Sequence, residues 1–140
     1  MKKFIVLMLA FMSIGLMSKA QCDGATKWTC SKMKIIDADG NVQNEMDDNI
    51  IVEVSNKNVV ITPKDETRKM EGSVDEFTCK WTTPGKDGKT IIKSKLTDME
   101  KTRNATITIE GVNGKVTITL EAPEEATKIV LEVNEYTVVK

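Results

Sequence analysis

The chain contains no histidine and very few aromatic residues. None of its 140 residues is His, and Phe, Trp and Tyr together make up 4%. The absence of imidazole excludes Ser-His and Cys-His nucleophile pairs, histidine general bases and zinc sites built on histidine. No cofactor motif is present either, so we expect a non-catalytic protein. A carboxylate-based hydrolase is the alternative, because the separation that matters between two such carboxyl groups is spatial and not sequential.

Long apolar runs are scarce, and the one that exists lies at the N-terminus. Lys2 and Lys3 precede the apolar segment Phe4–Met17, and Ser18-Lys19-Ala20 follows it. The run is shorter than the ~20 residues that span a bilayer, and the pattern is typical of a secretory signal peptide. We expect residues 1–20 to be removed near Ala20-Gln21. A single domain, residues 21–140, would then be secreted or periplasmic, with no transmembrane segment.

Positive charge is also in deficit once the signal peptide is removed. Taking Lys2, Lys3 and Lys19 from the 20 basic residues leaves 17 against 21 acidic residues, a net charge of −4. No basic patch recommends a nucleic acid or an anionic membrane surface as partner. The expected partner is therefore a protein or a small apolar ligand.

The remaining sequence is rich in Val, Ile and Thr, which favour strands. Short apolar stretches recur about every ten positions with turn residues between them, which is an all-β pattern. We predict eight strands: Lys27–Ile36, Asn49–Val54, Asn58–Thr62, Glu76–Thr82, Lys89–Leu96, Ala105–Glu110, Lys115–Glu121 and Lys128–Val139.

Short connections favour an up-and-down antiparallel order, and closure into a barrel removes exposed edges. The predicted fold is a single eight-stranded barrel or half-open barrel, with a two-sheet β-sandwich as the alternative. The layout resembles that of lipocalin and calycin barrels. Their Gly-x-Trp motif is absent, because Gly24 and Trp28 are four residues apart.

Three hairpin registers follow from turn residues and alternation. Asn113-Gly114 is a preferred type I′ pair, and Asp87-Gly88 and Ser55–Asn58 mark two further turns. The first predicts Ile109 opposite Ile118 and Ile107 opposite Leu120; the second predicts Trp81 opposite Ser94 and Cys79 opposite Leu96; the third predicts Val54 opposite Val59 and Val52 opposite Ile61. Changes in alternation predict bulges near Ser31 and near Asn134-Glu135.

The segment DADGNVQNEMDD, residues 37–48, resembles the start of a calcium loop. Its candidate ligands are Asp37, Asp39, Asn41, Glu45 and Asp48. Val42 stands where such a loop needs glycine, and strand-like rather than helical residues flank the segment. We therefore expect no metal site and interpret the segment as the polar turn of the first hairpin, with weak calcium binding left open.

The three cysteines allow at most one disulfide within the chain. Trp28-Thr-Cys30 and Cys79-Lys-Trp81 mirror each other, which favours a Cys30–Cys79 bond. In a meander, however, the first and fourth strands are not neighbours, so a bond from Cys22, for instance to Cys79, and the absence of any disulfide stay open as well.

The few aromatic residues are the candidate ligand-binding side chains: Trp28, Phe77, Trp81 and Tyr136. They would line a cavity for an apolar ligand or fill the core. We expect an interaction or structural module, with a lipocalin-like carrier of a small apolar ligand as the alternative.

Overall fold

The computed structural model describes Cys22, residues 24–98 and residues 101–139. The predicted signal peptide, residues 1–20, lies outside these ranges. One 3-10 turn, Glu66–Arg68, accompanies eight strands. The strands are β1 (Ala25–Ile36), β2 (Val42–Val54), β3 (Asn58–Thr62), β4 (Met70–Thr83), β5 (Asp87–Asp98), β6 (Lys101–Val112), β7 (Lys115–Glu121) and β8 (Lys128–Val139).

The eight strands form a closed antiparallel barrel in up-and-down order, from β1 through β8 and back to β1. This confirms the predicted barrel over the sandwich alternative. Successive connections alternate between the two ends of such a barrel. We call the end that carries residues 55–57, 84–86 and 113–114 the plugged end, and the end that carries residues 37–41, 63–69 and 122–127 the cavity end.

Two of the three predicted hairpin registers are confirmed. In β6–β7, Ile109 lies opposite Ile118 and Ile107 opposite Leu120. Asn113 and Gly114 both have positive φ, 52° and 85°, as a type I′ turn requires. In β2–β3, Val54 lies opposite Val59 and Val52 opposite Ile61. In both cases a short turn and the apolar face specify the same register.

The predicted register of β4–β5 is wrong. Trp81 lies opposite Gly88 and Cys79 opposite Thr90, and the turn is formed by residues 84–86 and not by Asp87-Gly88. The two registers differ by an even number of residues, so the same side chains face inward in both. Alternation alone therefore could not distinguish them.

Both predicted bulges are confirmed. The ladders of β1 are irregular between Cys30 and Lys32, and the β1–β8 ladder skips Asn134. The Ser31 hydroxyl donates a hydrogen bond to Asn134 Oδ1 at 2.6 Å. The two irregular positions thus stabilise each other, and they restore the inward orientation of the apolar residues on either side.

The acidic segment is a turn only over its first part. Asp37 to Asn41 form the turn, and β2 begins at Val42. Interpreting all of residues 37–48 as a turn was therefore wrong. The polar residues from 42 to 48 pair with β1, where Lys32 lies opposite Asp47 and Lys34 opposite Glu45.

The barrel interior is filled along most of its length by buried apolar side chains from every strand, most of them aliphatic. Among the most deeply buried are Val52, Val59, Ile92, Ile107, Ile109, Ile118 and Leu131. Burial of such side chains contributes about 1.5–3 kcal/mol each. The interior departs from this mainly aliphatic packing at the two ends of the barrel.

Candidate functional site

The plugged end is closed by three aromatic rings from three strands. Trp28 stacks on Trp81 with ring centroids 5.8 Å apart, and it contacts Tyr136 with centroids 4.5 Å apart. Trp28 is 1% exposed and Trp81 is 7% exposed. The turn after β4 packs on the same group, since a Cβ atom at Gly85 would lie 2.5 Å from Tyr136 Cδ1. These rings therefore form a plug.

Each tryptophan of the plug has its own hydrogen-bond acceptor. Trp28 Nε1 donates to Thr26 Oγ1 at 3.0 Å, and Trp81 Nε1 donates to Thr90 Oγ1 at 2.7 Å. Both threonines are buried. The Tyr136 hydroxyl is buried with no partner among the described residues, and burial raises its pKa. Satisfied indole groups fix the orientation of the rings.

A disulfide fastens the segment before β1 to the plugged end, and it is not the favoured one. Cys22 is bonded to Cys79, with Cα atoms 5.7 Å apart, whereas Cys30 is a free buried thiol. The prediction of Cys30–Cys79 is wrong because β1 and β4 lie on different walls of the barrel. The Cys22 alternative is the one found. Burial raises the pKa of Cys30 to about 12, so this thiol is not a nucleophile.

A cavity of about 450 Å3 opens at the opposite end. Its deeper wall is apolar and comes from five strands: Met70, Leu96, Ala105, Leu120 and Ile129. Ligand-binding cavities span roughly 300–1,000 Å3 and are mainly apolar with few polar groups. The cavity therefore has the size and the lining of a site for a small apolar molecule.

Charged side chains of both signs surround the mouth. The rim carries Asp98, Lys101, Arg103, Glu121 and Glu125. Arg103 of β6 forms an ion pair with Glu125 of the β7–β8 connection, which joins one wall of the barrel to the connection beside the mouth. Both side chains are substantially exposed, and such pairs contribute about 0–1 kcal/mol. The Arg103–Glu125 ion pair therefore holds the β7–β8 connection beside the mouth but contributes little to stability.

The four predicted ligand-binding residues do not line this cavity. Trp28, Trp81 and Tyr136 belong to the plug, and Phe77 is a half-buried residue of β4 that packs against the core. The side chains that line it were not among the predicted residues, because they are common apolar ones. The inward face of β6 did carry a signal. Every second residue is charged at first, Lys101 and Arg103, and then apolar, Ala105, Ile107 and Ile109. This pattern indicates a solvent-exposed mouth that leads into an apolar interior.

The acidic turn uses its first carboxylate to hold its own backbone. Asp37 Oδ1 accepts hydrogen bonds from the backbone N–H groups of Asn41 at 2.9 Å and Asp39 at 3.0 Å, and Oδ2 accepts one from Gln43 at 2.5 Å. The hydrogen bond from Asn41 is the main cause of the lowered pKa of Asp37. Within the described ranges no three Cys, Asp or Glu side chains are grouped as a metal site would require.

Comparison of the chain with protein-family models, with curated proteins and with solved structures finds no match. Across the part of the chain that the structure describes, no helix has the length and apolar character needed to cross a membrane.

Proposed function

We propose that the protein is a carrier of a small apolar ligand, which it holds in the cavity at the cavity end of the barrel. The observation that supports this proposal is the 450 Å3 cavity itself, with its wall of five apolar side chains. Because the aromatic plug closes the other end, a ligand would enter and leave through a single mouth. The resemblance to lipocalin barrels is one of architecture and adds no argument about the ligand.

The charges of the rim bear on the kind of ligand. Two basic and three acidic side chains share the mouth, and Arg103 is already paired with Glu125. No single sign dominates, so we propose an uncharged ligand that is recognised by shape and burial. Such binding scales with the apolar area removed from water, at about 25 cal/mol per Å2.

We also propose that the carrier acts outside the cytoplasm, as a secreted or periplasmic protein. The Cys22–Cys79 disulfide is compatible with an oxidising compartment. The signal-peptide pattern of residues 1–20 supports the same location. N-terminal sequencing of protein purified from its host checks this: a mature chain that starts at Gln21 is expected, and an intact Met1 terminus contradicts it.

Titration with the uncharged dye Nile red tests the carrier proposal. We expect saturable binding with a rise in dye emission, and loss of both in Ala105→Trp, which fills the cavity. Lys95→Trp is the matched control, because Lys95 is exposed on the outer face of β5 and the same ring there leaves the cavity open. A flat titration of the unchanged protein, or equal binding by both variants, refutes the proposal. Circular dichroism establishes that each variant is folded.

A further inference from the structure

Closure of the barrel depends on one very short strand, β3, which leaves part of β2 with a free edge. Only Ile51–Val54 of β2 pair with β3, whereas β2 begins at Val42. Between residues 42 and 50, β2 pairs with β1 on one side, with register shifts at Gln43 and between Asp47 and Ile50, and no described strand pairs with it on the other side. Alternate N–H and C=O groups of an antiparallel strand point to each side, so this edge offers unpaired backbone groups, in regular alternation over residues 44–47.

The free edge is firmly supported and accessible. β1 pairs with β8 through Lys32–Ile36 while pairing with β2 on its other side, so the edge belongs to a three-stranded sheet. Six of the nine residues from 42 to 50 are exposed, and Val42 is 52% exposed. Long exposed edges of this kind accept an additional strand, because the backbone groups are already in position to pair.

The charges on the outer face of this sheet alternate from strand to strand. β8 contributes Glu132, β1 contributes Lys32 and Lys34, and β2 contributes Glu45 and Asp47. Lys34 pairs with Glu132 at 3.2 Å, and Lys32 pairs with Glu45 at 3.2 Å. The order is acidic, basic, acidic, so a further strand beside β2 continues it if that strand carries lysine or arginine at every second position.

The same charges argue against a second copy of this chain as the occupant. Antiparallel pairing of two such edges about Met46 would place Glu45 of one copy opposite Asp47 of the other. Residues 42–50 contain three acidic side chains and no basic one. Like charges directly opposite each other destabilise a strand pair. The acidic residues of this edge therefore disfavour its pairing with the same edge of a second copy.

We propose that the free edge of β2, residues 42–50, is a docking site for an extended basic segment of another protein, which pairs with β2 as a ninth strand. The backbone of the segment would occupy the unpaired N–H and C=O groups, and its basic side chains would face Glu45 and Asp47. This site is separate from the ligand cavity, and none of its residues lines that cavity. It gives a specific form to the interaction module expected from the sequence.

The probe for this site is a synthetic nine-residue peptide of alternating lysine and valine. Two matched peptides accompany it: one with glutamate in place of lysine, and one with N-methyl groups on alternate valines, which removes backbone donors but keeps the charge. Hydrogen exchange of residues 42–50 is followed by mass spectrometry, and affinity is measured by fluorescence anisotropy. We expect the lysine peptide alone to bind and to slow exchange in that segment.

Charge-reversed variants of the protein test the side-chain part of the proposal. Glu45→Lys with Asp47→Lys is expected to weaken binding of the lysine peptide by roughly tenfold or more. Glu71→Lys with Glu110→Lys is the control, because both of these acids also form ion pairs but lie where their strands are paired on both sides. The control should change the affinity by less than about twofold.

Several outcomes overturn the proposal. One is the absence of binding, and another is equal binding by the glutamate peptide or by the N-methylated peptide. Slowed exchange of residues 42–50 on raising the protein concentration without peptide would assign the edge to a second copy instead. If the charge-reversed variant does not fold, the comparison of the three peptides on the unchanged protein still decides.

Discussion

Trp28 and Trp81 stack inside the barrel with ring centroids 5.8 Å apart, although they belong to strands that are not neighbours. The sequence places them in mirrored triplets, Trp28-Thr-Cys30 and Cys79-Lys-Trp81. The structure explains the symmetry differently from a Cys–Cys bond between the two strands. The tryptophan and the cysteine of each triplet face inward at the same end, where the rings meet across the interior and close it.

Truncation of the buried ring should therefore be costly. We expect Trp28→Ala to lower the free energy of unfolding by about 3–5 kcal/mol, because a large buried side chain leaves a cavity between Trp81 and Tyr136. Urea unfolding followed by circular dichroism measures the change. Val112→Ala is the control, since Val112 is 57% exposed and surface changes of this kind stay within about 0.5 kcal/mol. A loss below about 1 kcal/mol for Trp28→Ala would contradict the role of the plug.

Two hairpins, β6–β7 and β4–β5, show which strand registers can be predicted from the sequence of this fold and which cannot. The β6–β7 register could be predicted because Asn113-Gly114 prescribes a two-residue turn and alternation prescribes the face. In β4–β5 the pair Asp87-Gly88 looks equivalent, yet residues 84–86 form the turn. Asp87 instead accepts a hydrogen bond from the backbone N–H of Asn113 at 2.7 Å. That contact joins two hairpins, and a local pattern does not contain it.

The candidate site was less predictable than the fold, for a physical reason. Aromatic residues are common ligand contacts and were predicted as such, but Trp28 and Trp81 fill space at the plugged end. The cavity arises where inward-facing side chains are small or stop, as at Ala105, and such a void depends on how five strands converge. The free edge of β2 likewise follows from the shortness of β3 relative to its neighbours, which is a property of the assembled sheet.

The Cys22–Cys79 bond should stabilise the fold substantially. It closes a loop with a sequence separation of 57, for which the chain-entropy relation gives about 4 kcal/mol. We expect Cys22→Ser to lower the melting temperature, and dithiothreitol to lower that of the unchanged protein to a similar value. Dithiothreitol should not shift the variant further. A melting temperature of the unchanged protein that is insensitive to full reduction would contradict the assignment.

The free thiol of Cys30 should be inert in the folded state. Its side chain is fully buried, and burial raises its pKa to about 12. We expect Ellman's reagent to detect almost no thiol in the native protein and one thiol per chain in denaturant without reductant, with none in Cys30→Ala. Because the folded state keeps this proton after the unfolded thiol has lost it, stability should fall as pH rises above about 9. Rapid labelling of the native protein would contradict both expectations.

Acid should weaken the first hairpin through Asp37. The hydrogen bonds from Asn41, Gln43 and Asp39 lower the pKa of this carboxyl below the ordinary 3.8. A lowered pKa in the folded state contributes stability above the unfolded value, and that stability is lost as pH falls through the folded value. We expect Asp37→Asn to reduce the fall in melting temperature between about pH 6 and pH 2. Asp39→Asn removes an equal charge from the same turn, but within the described residues the Asp39 carboxylate accepts no hydrogen bond. The control should therefore retain the acid sensitivity of the unchanged protein, and identical pH profiles for the two variants would show that charge alone, and not the hydrogen-bonded turn, governs the response.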